Sequence, residues 1–221
     1  MINLTEVYKV YRSNEIETTA LENVNITIDK GEFVSVMGPS GCGKSTLLNV
    51  MGLLDSPTSG TVELCGERPL LKNATEVARF RNQHLGFIFQ NFHLINSMSV
   101  IDNVQLALYY RGVKHSERIK RAKEVLERLE ISHRMYHLPK NISGGQAQRV
   151  AIARAIVGNP DILFADEPTG NLDSKMGGEV MDILKKLNEE DGRTIVMVTH
   201  NQKQAEQTDR IILFADGCQI K

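Results

Sequence analysis

Apolar and polar positions follow two rhythms along this chain. Unbroken apolar runs such as Phe33-Val34-Ser35-Val36-Met37, Ile162-Leu163-Phe164-Ala165 and Thr194-Ile195-Val196-Met197-Val198 read as strands, the fully apolar ones suiting the centre of a parallel sheet. Further strands are expected at about 2–11, 23–28 and 210–214. The turn signal Asp29-Lys30-Gly31 before the strand at 32–37 suggests that the first third opens as an antiparallel β-layer. Residues 38–90 then read as loop, helix, strand, helix, strand. From Ser99 to about Arg134 the strand signal disappears. There Ile119, Ala122, Val125, Leu126 and Leu129 recur at helical spacing, with Ser116 as the expected N-cap. Beyond it, helices are expected at about 144–157 and 174–190, and a short one from about 201. The alternation predicts an α/β fold with a largely parallel sheet. The helical stretch reads as an insertion between two halves of one core, not as a separate domain.

Composition narrows this picture without changing it. The chain has 221 residues, 41% hydrophobic and 24% charged, enough for a buried core. With 26 basic against 27 acidic side chains it lacks the cationic excess that coating nucleic acid requires, so no nucleic-acid partner is expected. No apolar run approaches the ~18–20 residues of a spanning helix, and no signal peptide opens the chain. A cytosolic location follows as an expectation. Three scattered cysteines, Cys42, Cys65 and Cys218, form no C-x-x-C pair and suggest reduced thiols.

The candidate chemistry begins at Gly38-Pro39-Ser40-Gly41-Cys42-Gly43-Lys44-Ser45-Thr46, which matches the phosphate-binding pattern G-x-x-x-x-G-K-[ST] between a predicted strand and a predicted helix. Glycines there let successive backbone N–H groups face phosphate oxygens, with the positive helix end behind them. Lys44 would reach the outer phosphates and Ser45 a Mg²⁺ ion. Cys42 among those amides is either a thiol made reactive or inert filler. Asp166 and Glu167 end an apolar strand, where ligands of parallel sheets collect. Asp166 is placed to hold Mg²⁺ and Glu167 to polarise a water, while His200, after the strand at 194–198, could sense the γ-phosphate. Ser143-Gly144-Gly145-Gln146 opens a second helix suited to anions, Ser143 as N-cap and the glycines leaving the amides accessible.

Together these segments resemble the ATP-binding cassette (ABC) ATPases over essentially the whole chain. The loop at 38–46 resembles their Walker A, Asp166-Glu167 their Walker B aspartate and catalytic glutamate, and Ser143 to Gln146 their signature. Gln90 is similar to the Q-loop glutamine, Asn171-Leu172-Asp173 to the D-loop, His200 to the switch histidine, and Tyr11 to the aromatic residue that stacks on adenine. Leu53 to Gly60, Phe87 to Phe92 and Asp166 to Asp173 resemble in particular the group of lipoprotein release, macrolide export and cell division. Ile142 departs from the leucine that usually precedes the signature serine.

The resemblance implies a P-loop core at 1–90 and 144–221, interrupted by a helical subdomain at 91–143, all one ATPase domain. It implies ATP and Mg²⁺, the metal held by Ser45, Gln90 and Asp166, with Glu167, His200 and Gln90 as catalytic groups. It further implies a head-to-tail homodimer with ATP sandwiched between one Walker A and the other signature, Asp173 touching the partner's site. The membrane partner would be a separately encoded permease, met on its cytoplasmic face through Phe92, Leu94 and Ile95; a periplasmic or extracellular adaptor is a further partner the resemblance allows. The implied work is export or extraction of a peptide, drug or lipoprotein; the alternative is a regulatory ATPase driving a non-transporting signalling partner. A GTPase is disfavoured, because Asn201-Gln202-Lys203-Gln204 lacks the aspartate that reads guanine.

Overall fold

The computed structural model describes residues 1–13, 16–71 and 73–220. In chain order its elements are β1 (Ile2–Ser13), β2 (Ile16–Ile28), β3 (Phe33–Met37), α1 (Lys44–Met51), β4 (Ser59–Leu64), α2 (Ala74–His84) and β5 (Leu85–Phe89). There follow α3 (Val100–Tyr110), α4 (His115–Arg128), α5 (Gly144–Ile156), β6 (Ile162–Asp166) and α6 (Ser174–Glu189). The chain closes with β7 (Thr194–Val198), the single-turn α7 (Gln202–Ala205), β8 (Arg210–Ala215) and β9 (Cys218–Gln219). It divides into two compact units, Met1–Arg81 with Gly192–Lys221, and Asn82–Asp191. Among the described residues no helix is long and apolar enough to cross a membrane.

The first unit contains two sheets. In one, β1 lies between β2 and β4, antiparallel to both. Between Leu4 and Val7, β1 carries one residue more than β2 does between Val24 and Ile26. That bulge, with Glu6 at φ 49, turns Leu4 and Val7 to the same buried face although an odd step separates them. In the other sheet β3 lies between β7 and β8, parallel to both, and β9 adds an antiparallel edge to β8. The antiparallel opening layer is therefore present but differently composed: the strand after the turn at 29–31 leaves it, and β4 takes the third place. Phe33 to Val36 are buried in succession on both faces, and only a covered central strand accommodates that pattern. Helix α1, eight residues long, is too short to be stable alone. Burial of Leu47, Leu48, Val50 and Met51 holds it, at about 1.5–3 kcal/mol for each large aliphatic side chain.

In the second unit β5 and β6 pair in parallel, and α5 packs against β5, α3, α4 and α6. Val150, Ala151, Ile152 and Ala153 are all fully buried, so α5 is covered almost all round and forms the centre of this unit. Helix α4 begins two residues earlier than a Ser116 cap requires: Lys114 occupies the N-cap position and makes no side-chain cap. The turn before α4 sets this start, because Arg118 donates to the Val113 carbonyl at 2.9 Å and to Gln105 Oε1 at 3.1 Å. Ala122, Leu126 and Leu129 are the buried stripe, whereas Ile119 and Val125 stay half-buried at its margin.

Candidate functional site

Within the first unit the carboxyl ends of β3 and β7 deliver two groups of candidate residues side by side. The chain leaves β3 into Gly38-Pro39-Ser40-Gly41-Cys42-Gly43 and enters α1 at Lys44, followed by Ser45 and Thr46. Gly43 has φ +104, and a Cβ there would stand 2.4 Å from the Ala20 carbonyl, so no other residue fits. Gly217 N–H donates to the Cys42 carbonyl at 3.0 Å and pins the loop to the β8–β9 turn. Thr199 N–H donates to Val36 O at 3.2 Å, which sets exposed His200 just beyond the same sheet end.

Lys44 carries the decisive feature of the loop. Only 7% exposed, its Nζ donates to the carbonyls of Gly38 at 2.8 Å and Pro39 at 2.7 Å, with Cys42 Sγ at 3.7 Å. These three partners are neutral, and donors held by neutral carbonyls suit the ammonium to an incoming phosphate. The residues thus fit the nucleotide that the motif calls for. The Cys42 thiol is 6% exposed, which closes the access that reaction with a thiol reagent needs.

Tyr11 stands on β1 with 43% of its surface exposed, leaving a ring face open to a base. Its hydroxyl donates to Asp55 Oδ2 at 2.9 Å, while Lys9 Nζ lies 4.8 Å from the ring centroid and 2.7 Å from Asp55 Oδ1. Burial, and then the bond to Asp55, raise the Tyr11 hydroxyl above its ordinary value, with Thr46 of α1 acting in the opposite sense. Burial alone would raise the Asp55 carboxyl too, but hydrogen bonds from Lys9, Tyr11 and Ser56 N–H together bring it below its ordinary value.

The second unit holds the remaining candidates. β6 ends at Asp166, and Glu167 follows with φ 45, a left-handed backbone that is uncommon for a residue of its kind and is held by the turn in which Gly170 N–H donates to Glu167 O at 3.0 Å. Gln90 follows β5, and its side chain reaches Asn171. Asp173 caps α6, Oδ1 accepting from the N–H groups of Lys175 and Met176, both at 3.0 Å.

Ser143 caps α5 reciprocally with Gln146: Ser143 Oγ accepts from Gln146 N–H at 3.3 Å, and Gln146 Oε1 accepts from Ser143 N–H at 3.0 Å. The spacing S-x-x-Q signals such a box, although the sequence reading gave Gln146 no capping role. The glycine pair also needs qualification. Gly144 and Gly145 both lie within α5, and a Cβ on Gly145 would stand 2.7 Å from Met176 Sδ, so packing against α6 accounts for the second glycine without any ligand.

Three sets of supporting contacts are not read from the sequence, although Asp55, Gly170 and Asn171 fall within its motifs. Lys9 and Asp55 brace Tyr11. Asn171 and Gly170 cradle Gln90. Arg154 of α5 donates to the carbonyls of Phe92 at 2.8 Å and His93 at 2.5 Å, holding the segment that follows Gln90. Asp55, a carboxylate in the turn after α1, and Asn171, in the segment similar to the D-loop, had a local signal; Lys9 and Arg154 had none.

A strand ending in a glycine-rich loop around a buried lysine, with acidic residues at the end of a second parallel strand, defines a phosphate-loop nucleotide-binding protein. Comparison with known proteins narrows the class. The profile of the ABC transporter family matches residues 21–170. An uncharacterized ABC transporter ATP-binding protein of Methanocaldococcus jannaschii is 52% identical over 217 residues, covering 98% of this chain and 96% of that protein. The macrolide export ATP-binding/permease protein MacB of Bartonella henselae is 45% identical over 214 residues, 97% of this chain but 32% of that longer protein. Among solved structures, the dimeric post-hydrolysis state of the cassette MJ0796 bound to ADP and Pi superposes with a TM-score of 0.93 at 46% identity, covering 100% of this chain and 97% of that one. The chain belongs to the ABC transporter family. It is an ATP-hydrolysing cassette of that family, with ATP and Mg²⁺ as its nucleotide and metal.

Proposed function

We propose that this cassette powers a membrane permease for export or extraction of a peptide, drug or lipoprotein, working as a homodimer that closes on ATP and opens after hydrolysis. The observation that carries the dimer is the likeness over the whole chain to a dimeric cassette holding ADP and Pi. The similarity to MacB, an export ATP-binding/permease protein, supports the exporter class and association with a membrane permease; in this reading the cassette sits on the permease's cytoplasmic face. Residues 1–90 and 144–221 form the catalytic core in this reading and 91–143 the helical subdomain. The permease docks at Phe92, Leu94 and Ile95, and an external adaptor completes the assembly.

Roles follow residue by residue. Lys44 and the amides at 38–46 hold the phosphates, and Tyr11 stacks on adenine. Ser45, Gln90 and Asp166 hold Mg²⁺, which when bound neutralises charge on the β- and γ-phosphates. Glu167 orients the attacking water, and His200 and Gln90 sense the γ-phosphate. Ser143 to Gln146, with Asp173, face the nucleotide of the second, head-to-tail copy. This arrangement explains why one chain has two helix starts suited to anions.

Glu167→Gln tests the reading. Loss of the carboxylate should slow hydrolysis by roughly a hundredfold or more, in the range of general acid–base contributions, and leave ATP binding intact. The variant should then accumulate as an ATP-dependent dimer in size-exclusion chromatography with light scattering. A species that stays monomeric at saturating MgATP, even with its permease, would refute the sandwich.

A further inference from the structure

The side chain of Gln90 is held, within its own unit, by the turn that follows the acidic strand. Asn171 Nδ2 donates to the Gln90 carbonyl at 3.0 Å and to Asn91 Oδ1 at 2.9 Å, while Asn171 Oδ1 accepts from Gln90 Nε2 at 3.3 Å. One amide thus uses both its donor and its acceptor end on the same short segment, 81 positions away in sequence. Gly170 makes room for this: a Cβ there would stand 2.6 Å from Gln90 Nε2, 3.0 Å from Cδ and 3.2 Å from Cγ. The Gln90 side chain therefore lies along Gly170 with its head on Asn171.

The loop has reason to need such a tie. Phe92 and His93 both adopt left-handed backbone, φ 58 and 48, which costs energy and persists only where surroundings enforce it. Arg154 holds the far end of the segment through the carbonyls of Phe92 and His93. Buried Gln148, also on α5, donates to Pro168 O at 2.5 Å and fixes the turn from the other side. Asn171 closes this frame between the loop and the turn.

We propose that Asn171 is a positioning residue: it docks Gln90 on the turn at 168–171, so that the segments carrying Gln90, Glu167 and Asp173 move as one piece. A shift of the D-loop is thereby passed to Gln90 without any change in the nucleotide loop. This rests on the reading of Gln90 as a group that meets Mg²⁺ and the γ-phosphate. The chemistry demands asparagine in particular. Aspartate has the same shape, but it would set a carboxylate oxygen against the Gln90 carbonyl and Asn91 Oδ1, two acceptors.

The experiment compares Asn171→Asp, Asn171→Ala, Gln90→Ala and the Gln90→Ala/Asn171→Ala pair in the full chain. The first readout is amide hydrogen exchange without nucleotide or metal at Phe92 and His93, whose N–H groups donate to Phe89 O at 3.2 Å and Asn91 O at 2.5 Å. Both Asn171 variants should exchange there roughly tenfold faster, the loss expected from one or two hydrogen bonds, with β3 and α1 unchanged. The second readout is the Mg²⁺ concentration for half-maximal ATPase activity, which should rise by roughly three- to tenfold in both. The double variant should be no worse than Gln90→Ala, because the two residues act through one group. Wild-type exchange and Mg²⁺ dependence in Asn171→Asp would overturn the proposal, since shape alone would then suffice. A Gln90→Ala variant with wild-type Mg²⁺ dependence would instead remove the metal reading of Gln90, and faster exchange in the Asn171 variants would still establish the tether.

Discussion

Helices α1 and α5 both have glycine at their starts, Gly43 as the N-cap of one and Gly144 as the first residue of the other, and the sequence marks both as anion sites, yet they are furnished in opposite ways. The N-cap of α1 is Gly43, left-handed and without a side chain to cap it, and the next residue is a buried lysine bonded to the neutral carbonyls of Gly38 and Pro39. The N-cap of α5 is Ser143, which closes a reciprocal box with Gln146 and satisfies part of the helix end from within. One start holds its charge against neutral carbonyls; the other has part of its helix end satisfied by its own side chains. The difference teaches that a glycine-rich helix start is not one kind of site. The loop at 38–46 is arranged to be completed by a ligand, whereas the start at 143–146 is held in shape by its own capping box and, in the proposed dimer, offers its remaining groups to the second copy's nucleotide.

The largest expected effect breaks the comparison at α1. Lys44→Met keeps the buried apolar stem and removes the ammonium. It should weaken ATP binding by roughly tenfold to a hundredfold, the scale of lost hydrogen bonds to a charged group, with little change in thermal stability. Titration with a fluorescent ATP analogue gives the affinity; an unchanged value would mean that the buried charge is only structural. The mirror experiment at α5 is smaller. Ser143→Ala should cost about 1 kcal/mol of stability through the lost cap, which for a chain of this size lowers the melting temperature by about 2–4 °C. ATP affinity of the monomeric protein should stay at the wild-type value, because in the proposed head-to-tail dimer α5 meets nucleotide only across the interface. A monomer that loses affinity in Ser143→Ala would erase the distinction between the two helix starts.

How much of this was legible in the sequence depends on the range of the interaction. Strand β7 and the approximate starts of α5 and α6 were readable, since an apolar run and, for α5, the Ser143 cap are local signals. The loop at 38–46 was legible for the same reason: strand, turn and helix follow one another. Strand partnership was not. β3 follows a turn signal that commonly makes a hairpin, and only burial on both faces sends it to the parallel sheet. The bulge that turns Val7 inward leaves no trace in composition, because Glu6 is an ordinary polar residue. The supports of the candidate site were the least visible. Asn171 meets Gln90 across 81 positions and Arg154 meets Phe92 across 62. Arg154 is a polar side chain on a helix that in isolation reads as solvated surface, and Asn171 is marked by its resemblance to the D-loop but not by its partner.

The smallest prediction sharpens what surrounds α1. Asp55 receives hydrogen bonds from Lys9 and Tyr11, and its carboxyl lies below its ordinary value of 3.8 in the folded chain despite the opposing effect of burial. A carboxyl lowered by folding adds stability above its unfolded value and loses it as pH falls through the folded one. With Asp55 33% exposed and Lys9 12%, solvent screens the pair, and the contribution should stay below about 1 kcal/mol. Asp55→Asn should therefore melt slightly lower than wild type at pH 7, and the gap should close below pH 3.8 as the wild-type carboxyl protonates. Because Tyr11 then loses its charged acceptor, ATP affinity should also fall by roughly two- to threefold at pH 7, less than one hydrogen bond's worth. Melting curves that coincide at every pH, with unchanged affinity, would show that Lys9 and Asp55 leave the tyrosine ring to hold its own position, and that α1 needs only its loop and its lysine.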